Sequence, residues 1–131
     1  MGCMKLRTVV ETKAFADARR LLTGDERDAL IAWLALNPQA GDIVPGTGGA
    51  RKVRWAAKGK GKSGGVRSIT YFGGDDVPLF LLAIFGKGEK SNLTQAECNE
   101  LRTILASLAD EYRRGVKRYV EGRRKGSTRR T

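Results

Sequence analysis

Histidine is absent from this chain. That excludes serine–histidine and paired-histidine acid–base chemistry, so any catalysis falls to lysine, arginine, tyrosine or carboxylate. Only two cysteines are present, Cys3 and Cys98. Two thiols so far apart form no zinc motif. No apolar run reaches the length of a membrane span, and no signal-peptide pattern opens the chain. Together these point to a soluble, cytoplasmic protein without a metal or other cofactor. Acids are the other shortage, and it is local. From Arg51 to Arg67 there are seven cations and no carboxylate, and residues 113–131 hold nine cations against Glu121 alone. The whole chain carries +11, so the rest is mildly acidic. Two basic segments on an acidic body describe a protein that meets a polyanion at defined places.

The richest stretch runs Gly46-Thr47-Gly48-Gly49-Ala50-Arg51-Lys52-Val53-Arg54-Trp55, then Lys58-Gly59-Lys60-Gly61-Lys62 and Gly64-Gly65-Val66-Arg67. Glycines between the cations let backbone N–H groups approach a ligand as closely as the side chains do, which suits phosphate. The flanking pattern predicts strands over 51–56 and 66–72. Alternation places Lys52, Arg54 and Ala56 on one face of the first and Arg51, Val53 and Trp55 on the other, while Arg67, Ile69 and Tyr71 share one face of the second. Residues 58–65 read as a loop, and Gly73-Gly74-Asp75-Asp76 as a hairpin turn. Leu79 to Phe85 is almost wholly apolar, the mark of a strand covered on both faces, and Pro78 at its start costs little.

Around this core the chain reads as a first strand over 5–11, a helix over 13–22, and a second helix opened by the capping box Thr23-x-x-Glu26. Asn37-Pro38 stops that helix, and 41–49 is a turn-rich connection. Thr94-x-x-Glu97 is a second capping box, with Leu93 and Cys98 as its hydrophobic staple. The helix it opens carries Leu101, Ile104, Leu105, Leu108 and Tyr112 on one stripe. Cys98 falls on that stripe and is assigned to the core. After Tyr112 the stripe weakens, and beyond Gly122 the composition is that of disorder. The expected class is α+β in the order βααβββα, a small antiparallel-rich sheet covered by helices, with a domain over 1–112 and a basic extension over 113–131.

Asn37-Pro38, Gly41-Asp42, Gly46-Thr47-Gly48-Gly49, Arg51-Lys52-x-Arg54, Gly59-Lys60-Gly61-Lys62-x-Gly64-Gly65-x-Arg67, Tyr71 and Gly86-Lys87-x-Glu89 strongly resemble the HigB branch of the RelE-like toxins of toxin–antitoxin pairs. The resemblance covers about residues 5–112. It implies a compact αβ domain, a ribosome-dependent endoribonuclease that cuts translated mRNA, and a cognate helix-turn-helix, HigA-like antitoxin that assembles with it. RNA strand cleavage needs a base for the 2′-OH, an acid for the departing 5′-oxygen, and positive charge between them. Arg67 is the first choice for the scissile phosphate, because its planar fork matches two phosphate oxygens. Lys52 and Arg54 fall where the family places its basic catalytic pair. Crowding by like charge favours a neutral amine, which makes Lys52 the candidate base. Lys87 matches the lysine of the family's Gly-Lys element. Some relatives follow it with an arginine and a tyrosine, where this chain has Gly88 and Thr94, so the acid stays open among Lys87, Lys90, Lys62 and Tyr71. Arg51, Lys58, Lys60, Lys62 and Lys90 are expected to grip mRNA or ribosomal RNA. Trp55 either stacks on a base or packs in the core. Two other readings use the same residues: a non-catalytic RNA- or ribosome-binding module, and a ParE-like gyrase poison on the same fold.

Overall fold

The computed structural model describes residues 8–18, 21–55, 65–86 and 92–130, with side chains in the last helix described as far as Gly122. Its elements are β1 (Val9–Glu11), α1 (Lys13–Ala18), α2 (Gly24–Leu36), β2 (Asp42–Ile43), β3 (Arg51–Trp55), β4 (Val66–Phe72), β5 (Leu79–Gly86) and α3 (Gln95–Arg130). The strands form one sheet in the order β1-β5-β4-β3-β2. β2, β3, β4 and β5 pair antiparallel in sequence, and β1 lies parallel beside β5. The α+β class and the helix-covered sheet are as expected.

Three details differ from the expectation, each for a physical reason. β2 adds a strand inside the stretch read as turns; two residues are too few to show alternation. Gly41 allows this strand its close approach, since its φ is +90° and a Cβ there would lie 2.4 Å from the Lys52 carbonyl oxygen. β1 is parallel because its partner enters about 70 residues later, and side-chain periodicity carries no information on pairing direction. The third detail is α3, which stays helical to Arg130 where composition suggested disorder. Arg, Lys and Glu are good helix formers whether or not they have a core to pack on.

Both faces of the sheet are packed. Phe15 from α1 and Leu30 and Leu34 from α2 meet Val53, Val66, Leu79, Leu81 and Ile84 on one side. On the other, Leu105 of α3 meets Ala50, Ile69 and Phe85, with Leu93, Leu101 and Leu108 around them. β5 therefore feeds both cores, which is why its sequence is apolar throughout. Leu81 and Ile84 share a core although they are three apart. The register explains it: Ile69 pairs with Ala83 but Thr70 with Leu81, so Leu82 is an extra residue in β5. Such a bulge leaves carbonyls off the ladder; here Thr12 Oγ1 donates to Leu81 O at 2.8 Å, with Leu82 O at 3.2 Å.

Both capping boxes form. Thr23 Oγ1 accepts from Glu26 N–H at 3.1 Å while Glu26 Oε1 accepts from Thr23 N–H at 2.8 Å. Thr94 and Glu97 repeat the arrangement at 3.1 and 2.8 Å. Leu93 then packs against the core shared by the sheet and α3, and Cys98 is buried. At the C-terminal end of α2, Asn37 N–H bonds the Trp33 and Leu34 carbonyls before Pro38 prevents continuation.

Candidate functional site

β3 and β4 pair so that Lys52 stands opposite Ile69 and Arg54 opposite Arg67. Residues directly opposite share a face, so Lys52, Arg54 and Arg67 all project from the α3 side of the sheet. Beyond Arg67, on β5, stands buried Phe85. Arg54 is exposed, Lys52 half-buried, and Arg67 only 5% exposed.

The Arg54–Arg67 pair is unfavourable as protein structure. Opposed strand residues hold their Cβ atoms about 5 Å apart, and like charges there repel. Arg67 adds a second cost, because its Nε and Nη1 are buried with no hydrogen-bond partner. A buried guanidinium without counter-charge typically costs several kcal/mol. Among the described residues no carboxylate meets either arginine. What would relieve both terms is an anion with paired oxygens, placed between the two forks.

Lys52 is held differently. Its Nζ donates to Asn92 Oδ1 at 2.7 Å, two residues before the α3 cap. The capped start of α3 thus sets where the ammonium sits beside the arginine pair. Asn92 was not anticipated from sequence: one asparagine in a loop of Gly, Lys and Ser has no spacing to signal a role.

The other candidates separate. Arg51 projects from the opposite face and donates from Nη1 to Gly41 O at 3.2 Å. Trp55 also faces away, with its ring 5.5 Å from that of Trp33 and packed against the α1–α2 core. Core packing, one of its two expected roles, is what the structure shows. Tyr71 shares the Arg67 face but lies four residues further along β4, about 13 Å at strand rise. Its ring packs beside Gly49 and Gly73 in the core under α3. The structure does not bring it to Arg67. Lys58, Lys60, Lys62, Lys87 and Lys90 lie outside the described residues.

The family described as the RelE toxin of the RelE / RelB toxin–antitoxin system matches residues 35–124, well over half the chain. This chain belongs to the RelE toxin family. The RelE match spans β2 to β5 and so includes Lys52, Arg54, Arg67 and Lys87, and it runs into α3 past the boundary drawn at residue 112. Among solved structures this RelE-family toxin is similar to an arginine-to-alanine double mutant of the E. coli toxin RelE in the free state. The identity is 14%, the coverage 75% of this chain and 92% of that chain, and the TM-score 0.45. Among the described residues of this toxin, no helix is long and apolar enough to cross a membrane.

Proposed function

We propose that this RelE-family toxin is a ribosome-dependent endoribonuclease of the HigB branch, acting in the cytoplasm on mRNA under translation. In the reaction the ribose 2′-oxygen bonds to the adjacent phosphorus as the bond from phosphorus to the 5′-oxygen breaks. One proton leaves the 2′-OH and another is delivered to the departing 5′-oxygen. Arg67 holds the non-bridging oxygens of the scissile phosphate. Arg54 adds charge from the facing strand, and Lys52 receives the 2′-OH proton from the position Asn92 fixes. The proton donor is drawn from lysines outside the described residues, Lys87 first, then Lys90 and Lys62. Tyr71 is assigned to packing. No step in this scheme calls on a metal ion. A HigA-like helix-turn-helix antitoxin is the expected partner, binding the toxin in an inactive complex.

One observation carries this reading: a guanidinium with two buried, unpartnered nitrogens, facing a second arginine, on the face that Lys52 shares. Folding gains nothing from that arrangement, whereas a phosphate bound in it would be gripped by both forks. The test is primer extension on mRNA in a translating extract, comparing wild type with Arg67→Ala and Arg67→Lys. Loss of one such electrostatic contact costs on the order of 100- to 1000-fold in rate, and lysine should recover part of it. Full cleavage by Arg67→Ala would remove the assignment. Ribosome binding without cut products at any toxin concentration would favour a non-catalytic module, and DNA damage without mRNA cleavage a gyrase poison.

A further inference from the structure

Near Arg113, α3 leaves the body of the protein. Arg113 Nη2 donates to Asp76 Oδ1 at 2.8 Å and to Gly73 O at 3.4 Å, and Nη1 donates to Asp110 at 3.2 Å. Two anchors on the β4–β5 turn and one on its own helix fix the direction in which the chain departs. The bond to Arg113 also holds the Asp76 carboxyl below its ordinary range. Past this clamp Arg114, Lys117 and Arg118 are exposed, and none meets a carboxylate among the described residues. Residues 114–130 contain eight cations and one acid, and their backbone is helical throughout, a rod about 25 Å long at helix rise.

We propose that this rod is a second RNA-binding element, gripping phosphate backbone away from the Arg54–Arg67 pair. The inference does not rest on the cleavage chemistry; it stands on charge, exposure and a helical backbone. Three features select RNA over other acidic partners. Six of the eight cations are arginine, whose fork suits phosphate oxygens. A protein partner would have to match eight cations of one sign with carboxylates, which protein interfaces deplete. Binding of a helix to a membrane surface scales with the apolar area it buries, in addition to charge. Here the exposed apolar residues Val116, Tyr119 and Val120 end at Val120, while the cations continue to Arg130. Tyr119, 65% exposed, offers a ring on which a base can stack.

The test strips five charges together (Arg114→Gln, Lys117→Gln, Arg118→Gln, Arg124→Gln, Lys125→Gln) in the full chain. An Arg54→Ala, Arg67→Ala background silences cleavage and the pair's own phosphate contact. Fluorescence anisotropy against KCl is read with a single-stranded RNA and with an RNA duplex. The stripped protein should bind more weakly, and the log–log salt slope should flatten by about 3.5 on single strands and about 4.5 on a duplex. The probe showing the larger loss identifies which form of RNA the rod grips. A companion variant with lysine at the same three arginine positions should keep the slope, and circular dichroism should show that both remain helical. An unchanged slope and affinity would overturn the proposal. So would tighter binding to poly-glutamate or to anionic lipid vesicles than to either RNA at the same salt.

Discussion

The two cationic regions of this toxin carry charge at opposite cost. On the α3 rod, Arg114, Lys117 and Arg118 stand in water and ask little of the fold. On the sheet, Arg67 is buried with two nitrogens unpartnered and faces Arg54 across the ladder. A run of exposed arginines can accumulate with little effect on folding. A buried, unpaired one must be supported by the stability of everything around it. The difference teaches that cation number alone is a poor guide to where chemistry occurs. The more informative quantity is what the protein gives up to keep the charge in place.

That contrast can be broken most sharply at Arg67. Arg67→Met keeps most of the volume and removes the stranded charge, so it should raise stability by about 1–3 kcal/mol while abolishing cleavage. Chemical denaturation and primer extension on the same preparation check both. A destabilised Arg67→Met protein would mean that the guanidinium serves packing. At the rod, exchanging Arg114, Lys117 and Arg118 for glutamine should leave stability within about 0.5 kcal/mol, as expected of exposed side chains without partners; calorimetry decides. Asn92→Ala lies between the regions. It should lower the cleavage rate by less than Arg67→Ala does, and leave the thermal midpoint nearly unchanged because the bond it removes is exposed. The smallest effect belongs to the clamp. The Asp76 carboxyl is depressed by Arg113. Its contribution is therefore fully present above its ordinary value of 3.8 and lost as pH falls through the lower folded value. The difference in midpoint between wild type and Asp76→Asn should be constant from neutrality to about pH 5 and shrink in more acid solution.

Much of the fold was legible because its signals are local. Thr23 with Glu26, and Thr94 with Glu97, mark helix starts within four residues, and alternation in β3 and β4 assigned Lys52, Arg54 and Arg67 to faces that the register later joined. Tyr71 illustrates the limit. Alternation correctly gave it the Arg67 face, but a face is long, and periodicity says nothing about which stretch of it a helix will cover. Alternation leaves Trp55 open between base and core for the same reason, and its packing beside Trp33 of α2 depends on a partner distant in sequence. Asn92 and the parallel pairing of β1 were invisible, since each depends on a partner far away in sequence.

The extra residue at Leu82 has a consequence for how this sheet can change. Because side chains alternate strictly, one inserted position reverses the sidedness of everything beyond it. In β5 that reversal lets Leu79 and Leu81 line the α2 side together with Ile84, while Phe85 backs Arg67 on the other. Drawing Leu82 into regular alternation, with no residue removed, would exchange the places of Ile84 and Phe85 without altering either. The wall behind the paired arginines would then be rebuilt from the wrong side of the protein, although none of the cations had been touched.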